Sequence, residues 1–301
     1  MKFITLNGET IQVDSRRLIL REQQIESFDQ VENLEKLDDL RILALPRNNI
    51  EEIKGLENLT RLDSLNLSEN NIDKIRNLKA QTSLRILKLE NNHITKIENL
   101  EYLKNLIKLD LSNNSIFKIE NLETLKNLNY LSLSFNKIKK ISNLDQLNSL
   151  EILHLSGNRI LKIENLDHLI NLELLSLDCN NISEIENILD LKNLTLLSFD
   201  NNIIKQIEDL EHLDDLRFLS LQNNKIKKIQ GLENLVNLKY LDLRNNRIEE
   251  LKGLGNLRNL DQLYLSGNEI DPDLIEELGG LNRNGCAYQP QKFVEYCRKN
   301  K

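Results

Sequence analysis

The 301-residue chain contains no tryptophan, and aromatic residues make up only 4% of it. It has three prolines, too few for a Pro-rich linker between domains. Its cysteines, Cys179, Cys286 and Cys297, form an odd set without metal-ligand spacing, which argues against both a disulfide scaffold and a structural zinc site. No apolar run approaches the roughly 20 residues of a membrane-spanning helix. The N-terminal segment turns polar at Asn7, before the apolar region of a secretion signal can form, so a cytoplasmic location is expected. Gly-rich phosphate loops and Cys/His metal motifs are missing as well, and no cofactor or metal is expected. The net charge is −7, with charged residues dispersed and no block of one sign, which argues against a nucleic-acid partner.

What the chain does have is a period. Eleven asparagines fall 22 residues apart: Asn48, Asn70, Asn92, Asn114, Asn136, Asn158, Asn180, Asn202, Asn224, Asn246 and Asn268. Two residues after each stands an isoleucine, from Ile50 to Ile270. In the repeat beginning at Leu62, Leu65 and Leu67 are one residue apart, the spacing of a strand with alternate side chains turned inward. Asn70 follows where the chain must turn, and its amide can pair backbone groups that the turn strands. Ile72, Ile75 and Leu78 then come in steps of three, which suits a 3₁₀-like or extended segment and not a long α-helix. Each coil offers about seven aliphatics, each contributing roughly 1.5–3 kcal/mol on burial. One coil cannot close its own core, so neighbours must stack. Gln81 interrupts the pattern where Leu59 and Leu103 stand in the adjacent repeats, and marks a weak spot or a local bend.

The ends depart from the period. Residues 1–17 read as a cap in which Asn7-Gly8 forms the type I′ turn of a β-hairpin. Residues 18–270 read as the solenoid, about 12 repeats, with Gln23 in the asparagine position of a degenerate first coil. Residues 271–301 read as a helical cap. In it Asp271-Pro272-Asp273 start one helix, Gly279-Gly280 end it, and Pro290 opens a second with Phe293, Val294 and Cys297 on one side.

The consensus Leu-x-x-Leu-x-Leu-x-x-Asn-x-Ile-x-x-Ile-x-x-Leu-x-x-Leu resembles the 22-residue leucine-rich-repeat class. Segments such as Lys96-Ile-Glu-Asn-Leu-Glu-Tyr-Leu-Lys-Asn-Leu are similar to repeats of the leucine-rich-repeat regulatory subunit of protein phosphatase 1. The resemblance implies an α/β solenoid, curved, with a parallel sheet on the concave face and 3₁₀ or extended segments on the convex side. It also implies a non-catalytic scaffold or regulator that binds a protein on the concave face, with a phosphatase as one candidate partner; the chain itself is expected to be a monomer. Bacterial internalins share the period, and an internalin-type surface adhesin is the alternative.

The outward columns of the strands can be read directly. Six consecutive strands carry Tyr130, Ile152, Leu174, Leu196, Phe218 and Tyr240 at one position. Such a ridge is either a protein-binding site or sheet residues stacking on one another. Tyr130, Phe218 and Tyr240 are the aromatic anchors expected of a binding ridge, with Phe135 and Tyr264 nearby. Asp178 and Asp200 occupy matching places on adjacent strands, either to meet a partner's cation or to stand solvated. Lysines before the second isoleucine of several repeats, and glutamates after it, predict a solvated lattice of both signs on the outer side. His154 faces the sheet with Cys179 one coil on, the best nucleophile-and-base candidate. No third group orients the histidine and no oxyanion loop is evident, so no catalysis is expected.

Overall fold

The computed structural model describes residues 2–300. The chain packs as two units: one runs through Ile138 and includes Ser142–Leu150, the other takes Lys139–Ile141 and continues from Glu151. Both are parallel β-solenoids.

In the first unit, β1 (Lys2–Leu6) and β2 (Glu9–Val13) form the expected hairpin. Asn7 and Gly8 supply the two positive φ values, 52° and 81°, that a type I′ turn requires. Ile4 and Leu6 are buried. The chain then enters β3 (Arg17–Ile19), short 3₁₀ turns at Phe28–Gln30 and Leu34–Lys36, and β4 (Val31–Glu32) between them. β4 pairs antiparallel with β1, giving the hairpin a third strand that two residues of sequence do not reveal. The solenoid strands follow as β5 (Ile42–Ala44), β6 (Ser64–Asn66), β7 (Ile86–Lys88), β8 (Lys108–Asp110) and β9 (Tyr130–Ser132), each parallel to the last, with β5 on β3.

The second unit holds β10 (Ile152–His154), β11 (Leu174–Ser176), β12 (Leu196–Ser198), β13 (Phe218–Ser220), β14 (Tyr240–Asp242) and β15 (Gln262–Tyr264). Neighbours pair in parallel at a 22-residue register, for example Leu174 with Leu196 and Leu196 with Phe218. Helices α1 (Pro272–Glu277) and α2 (Pro290–Lys299) complete it. Asp271 caps α1 by accepting from the Asp273 amide (3.0 Å), and α2 buries Phe293, Val294 and Cys297.

The core follows the consensus. Leu87, Leu89, Ile94, Ile97, Leu100, Leu103 and Leu106 are all fully buried. The steps of three fold as consecutive turns with i to i+3 bonds, Leu103 N to Leu100 O and Leu106 N to Leu103 O, both 2.9 Å. The asparagines line up as a ladder. Asn114 Oδ1 accepts from the Ile94 amide of the preceding coil (2.9 Å), while its Nδ2 donates to Leu89 O and Leu111 O (both 3.0 Å). Asn202 repeats the pattern in the second unit with Ile182 N, Leu177 O and Phe199 O.

A second ladder runs on the opposite side of the coil. Asn77, Asn99 and Asn121 donate from Nδ2 to Ile53 O, Ile75 O and Ile97 O at 2.7 Å, and Asn187 donates to Ile163 O at 2.8 Å. All four adopt left-handed backbone, φ 57–59°, a conformation Asn tolerates better than most residues. Gly231 and Gly253 take this position later. There a Cβ would lie 2.6 Å from Ile207 O and 2.1 Å from Ile229 O, so the coils approach too closely for a side chain.

One expectation is revised. Gln23 does not join the first ladder: it lies 25 residues before Asn48, not 22, and its exposed amide donates to Arg21 O (2.8 Å). Asn48 Oδ1 instead holds the Gln23 backbone N–H (2.9 Å). Gln81 is fully buried, and its Nε2 reaches Leu56 O at 2.7 Å, while its Oε1 has no partner.

Candidate protein-binding surface

Alternation along each three-residue strand buries the central leucine and turns its neighbours to the solvent side of the sheet. In the second unit this sets Ile152, Leu174, Leu196, Phe218 and Tyr240 in one row, each half-buried. The apolar row is continuous, and part of each side chain is covered by its neighbours. Phe218 and Tyr240 stack with centroids 4.1 Å apart and 10° between planes; Tyr264 tilts against Tyr240 at 5.2 Å.

Beside the row run Ser176, Ser198, Ser220 and Asp242, all buried. Small hydroxyls here make room for carboxylates from the next row. Asp178 accepts from Ser176 Oγ (2.8 Å), from Ser198 Oγ and from the Asp200 amide (2.8 Å). Asp200 accepts from Ser220 Oγ (2.6 Å) and the Gln222 amide (2.8 Å). Both half-buried aspartates are thus held by hydroxyls and amides of their own and adjacent coils. Burial pushes the Asp200 carboxyl up to about 6, and the nearby Asp178 charge acts the same way. Asp242, 1% exposed, is bound by Arg244, whose Nε lies 3.0 Å from both carboxylate oxygens. The same guanidinium covers the Tyr264 ring at 4.7 Å and donates to Asn284 O (3.3 Å), tying the sheet face to the segment before α2. Burial and the adjacent Asp242 raise the Tyr240 hydroxyl, which stays protonated.

In the first unit Tyr130 is half-buried, and Lys108 Nζ sits 3.8 Å from its ring centroid. Phe135 is 55% exposed in left-handed backbone (φ 55°), at a turn position that Asn91 and Asn113 occupy in earlier coils. A bulky side chain in that region is costly. A hollow of about 470 Å³ lies between Ile42, Ser64 and Ile86, with Arg41, Arg85 and Lys108 among its lining residues. Its sequence signal was Ser64, the small residue between two isoleucines in the outward column.

His154 is half-buried on β10, and Cys179 is exposed at φ 54° in the turn after β11. Partial desolvation and the neighbouring Asp178 hold the Cys179 thiol above its usual range, opposite to what a nucleophilic thiolate needs. Among the described residues no group of three or more His, Cys, Asp or Glu is placed to hold a metal ion, and no helix is long and apolar enough to cross a membrane.

A family model described as Leucine Rich repeats (2 copies) matches residues 126–168, 214–256 and 236–279. The chain is a leucine-rich-repeat protein. Among solved structures, this leucine-rich-repeat protein is similar to an internalin (inlF) from Listeria monocytogenes, at 29% identity and a TM-score of 0.81 over 88% of this chain and 77% of that one. An internalin C2 from the same organism is 36% identical, with a TM-score of 0.56 over 58% of this chain and 77% of its own. A leucine-rich-repeat protein from Leptospira interrogans, 22% identical with a TM-score of 0.58, shares the fold over 88% of this chain and 93% of its own. No curated protein matches the chain. The leucine-rich-repeat fold commonly serves protein–protein interaction.

Proposed function

We propose that this leucine-rich-repeat protein is a non-catalytic scaffold or regulatory subunit, monomeric and cytoplasmic, that holds a partner protein on the solvent side of its sheets. The observation that carries the reading is the unbroken apolar row from Ile152 to Tyr240, with Phe218 and Tyr240 stacked at its end. Contiguous apolar surface of this kind is where protein partners dock, and aromatic anchors supply most of the binding energy. Tyr264, His154, Asp178 and Asp200 border the row, and Tyr130 on β9 and Phe135 in the turn after it are the corresponding candidates in the first unit. A bulky side chain kept in left-handed backbone at Phe135 supports a role outside folding. The repeat resemblance makes a protein phosphatase one specific bait.

The similarity to the inlF internalin favours a second reading, a surface adhesin with the same binding face. Cell fractionation separates the two: recovery from the surface or the medium supports the adhesin, recovery with soluble cytosolic protein supports the regulator. The binding face itself is tested by affinity capture from the native host with wild type beside Phe218→Glu/Tyr240→Glu. Loss of the captured partner is expected. The stacked pair contributes about 0.5–1.5 kcal/mol beyond its burial, so a melting-temperature loss of a few degrees accompanies it. Capture of the same partner by the double variant removes these residues from the site.

A further inference from the structure

The outer side of the second unit departs from the charge lattice of its neighbours at one place. Lysines preceding the second isoleucine of a repeat usually have an acid at hand. Lys96 reaches Glu98, two residues on, at 4.0 Å, and Lys140 reaches Glu164, 24 residues on, at 3.6 Å. For Lys228 those two partner positions hold Gln230 and Lys252. One coil earlier Gln206 stands in place of the lysine, while Glu208 keeps the acid position of that repeat.

The result is a cleft of about 450 Å³ lined by Lys205, Lys225, Lys227, Lys228 and Arg247, with Gln206 and Gln230 as its uncharged members. Among the described residues none of the five cations makes an ion pair. By register the neighbouring acids are Glu208 and, one coil on from Lys227, Lys228 and Arg247, Glu249, Glu250 and Glu269; none of them lines the cleft. Glu250 pairs with Lys252 at 2.8 Å, which holds its carboxyl below the usual range, and Lys228 adds a weaker, longer-range attraction. Five like charges around one concavity raise the local potential, in a chain whose net charge is −7. The volume suits a ligand of headgroup size. Lysine stems can supply apolar walls to such a cleft, and each ammonium group carries three donors.

We propose that this cleft binds a small, multiply charged phosphate-type anion, free or carried on a lipid headgroup. Clustered ammonium and guanidinium donors meet several anionic oxygens at once, and the two glutamine amides add neutral hydrogen bonds. Binding an anion there relieves the repulsion among the five cations, and the interaction weakens as salt rises.

The test is calorimetric titration of the full chain with inorganic tripolyphosphate at low salt. It is run beside flotation with phosphatidylcholine vesicles that contain or lack a phosphorylated inositol lipid. Wild type is compared with Lys227→Gln/Lys228→Gln and with Lys96→Gln/Lys118→Gln, a control pair in the same kind of row. All four lysines are exposed, so urea midpoints should match wild type and loss of binding is not loss of fold. The expected result is one tripolyphosphate site, weakened about fivefold or more by the first pair and unchanged by the second. Tripolyphosphate binding alone assigns a free anion, and vesicle binding with the same variant dependence assigns a headgroup. Absence of binding in both arms, or equal weakening by the two pairs, overturns the proposal.

Discussion

Replacing Asn114 with alanine isolates what one rung of the first ladder contributes. Asn114 is 9% exposed, and its amide serves four backbone groups: Ile94 N, Leu89 O, Leu111 O and Ser112 O. The three carbonyls each keep another donor when the side chain is removed. Asn92 Nδ2 still reaches Leu89 O, Asn136 Nδ2 still reaches Leu111 O, and the Asn91 amide still reaches Ser112 O. Only the Ile94 amide is orphaned. A buried donor left without a partner costs about 1–3 kcal/mol, and the lost hydrogen bonds to carbonyls already satisfied add less than about 1 kcal/mol. The variant should therefore lose about 2–3 kcal/mol in urea unfolding. Exchange of the Ile94 amide with deuterium should quicken by one to two orders of magnitude, since each ~1.4 kcal/mol is tenfold in an equilibrium constant. Asn114→Asp keeps the acceptor but sets a carboxylate against the same carbonyls, so it should be the worse variant at neutral pH and improve as pH falls. A loss under about 0.5 kcal/mol with Ile94 as protected as in wild type would refute the account of the ladder.

Gln81→Leu should stabilise the protein by about 1–2 kcal/mol. It removes an unpartnered buried oxygen, and Leu56 O keeps the Leu59 amide as donor; a lower urea midpoint would contradict this. For Asp200 the carboxyl is raised from 3.8 to about 6 in the fold. Its contribution to stability is thus full below pH ~3.8 and lost as pH rises through about 6. Asp200→Asn should therefore gain about 1 kcal/mol at pH ~7.5, after allowance for solvent screening at this half-buried site, and nothing near pH ~4. Equal effects at both pH values would show that the shift does not govern stability. Phe135→Asn should raise the thermal midpoint slightly, by relieving left-handed backbone at a cost of about 1 kcal/mol, while weakening partner capture. A gain in stability with undiminished capture would remove Phe135 from the binding face.

The repeat made the solenoid readable because period and burial coincide in it: each leucine of the consensus is a core residue, and each ladder asparagine faces the same turn. The hairpin was readable from Asn7-Gly8, and the helical cap from Asp271, Pro272 and the paired glycines. The second ladder, Asn77 through Asn187, carries the same 22-residue signal. Its asparagines lie beside charged residues, where an amide reads as one more solvated side chain until the carbonyl it meets is known. Gln23 failed as a ladder residue because position in a degenerate coil is set by loop length, and the first loop is longer. The bonding of Asp178 and Asp200 was hidden because most of it comes from one coil away, at Ser198 and Ser220, with Ser176 adding a bond to Asp178 within its own coil. The apolar row follows from alternation along the strands, which turns it to the side opposite the buried leucines. Its half-burial was not legible, since it depends on how far Phe218 and Tyr240 lean onto one another. The basic cleft was hidden for the opposite reason: the lysine row was visible, but the missing acids at Gln230 and Lys252 matter only once pairing distances are known.

The ladders also give the fold a direction in time. Within each unit, Asn114 and its equivalents reach back to the coil before, and the strand amide of Leu89 bonds to Asp110 O of the coil after. A chain emerging from the ribosome amino end first therefore always trails one coil whose amides are still bonded to water, closed only when the following 22 residues arrive. The coil ending at Asn268 receives its closure from elsewhere: Gly285 O takes the Leu265 amide at 3.0 Å, and the Ala287 amide donates to Leu263 O at 2.8 Å. The last strand of the second unit thus finds its closing partners in Gly285 and Ala287, beyond the final repeat.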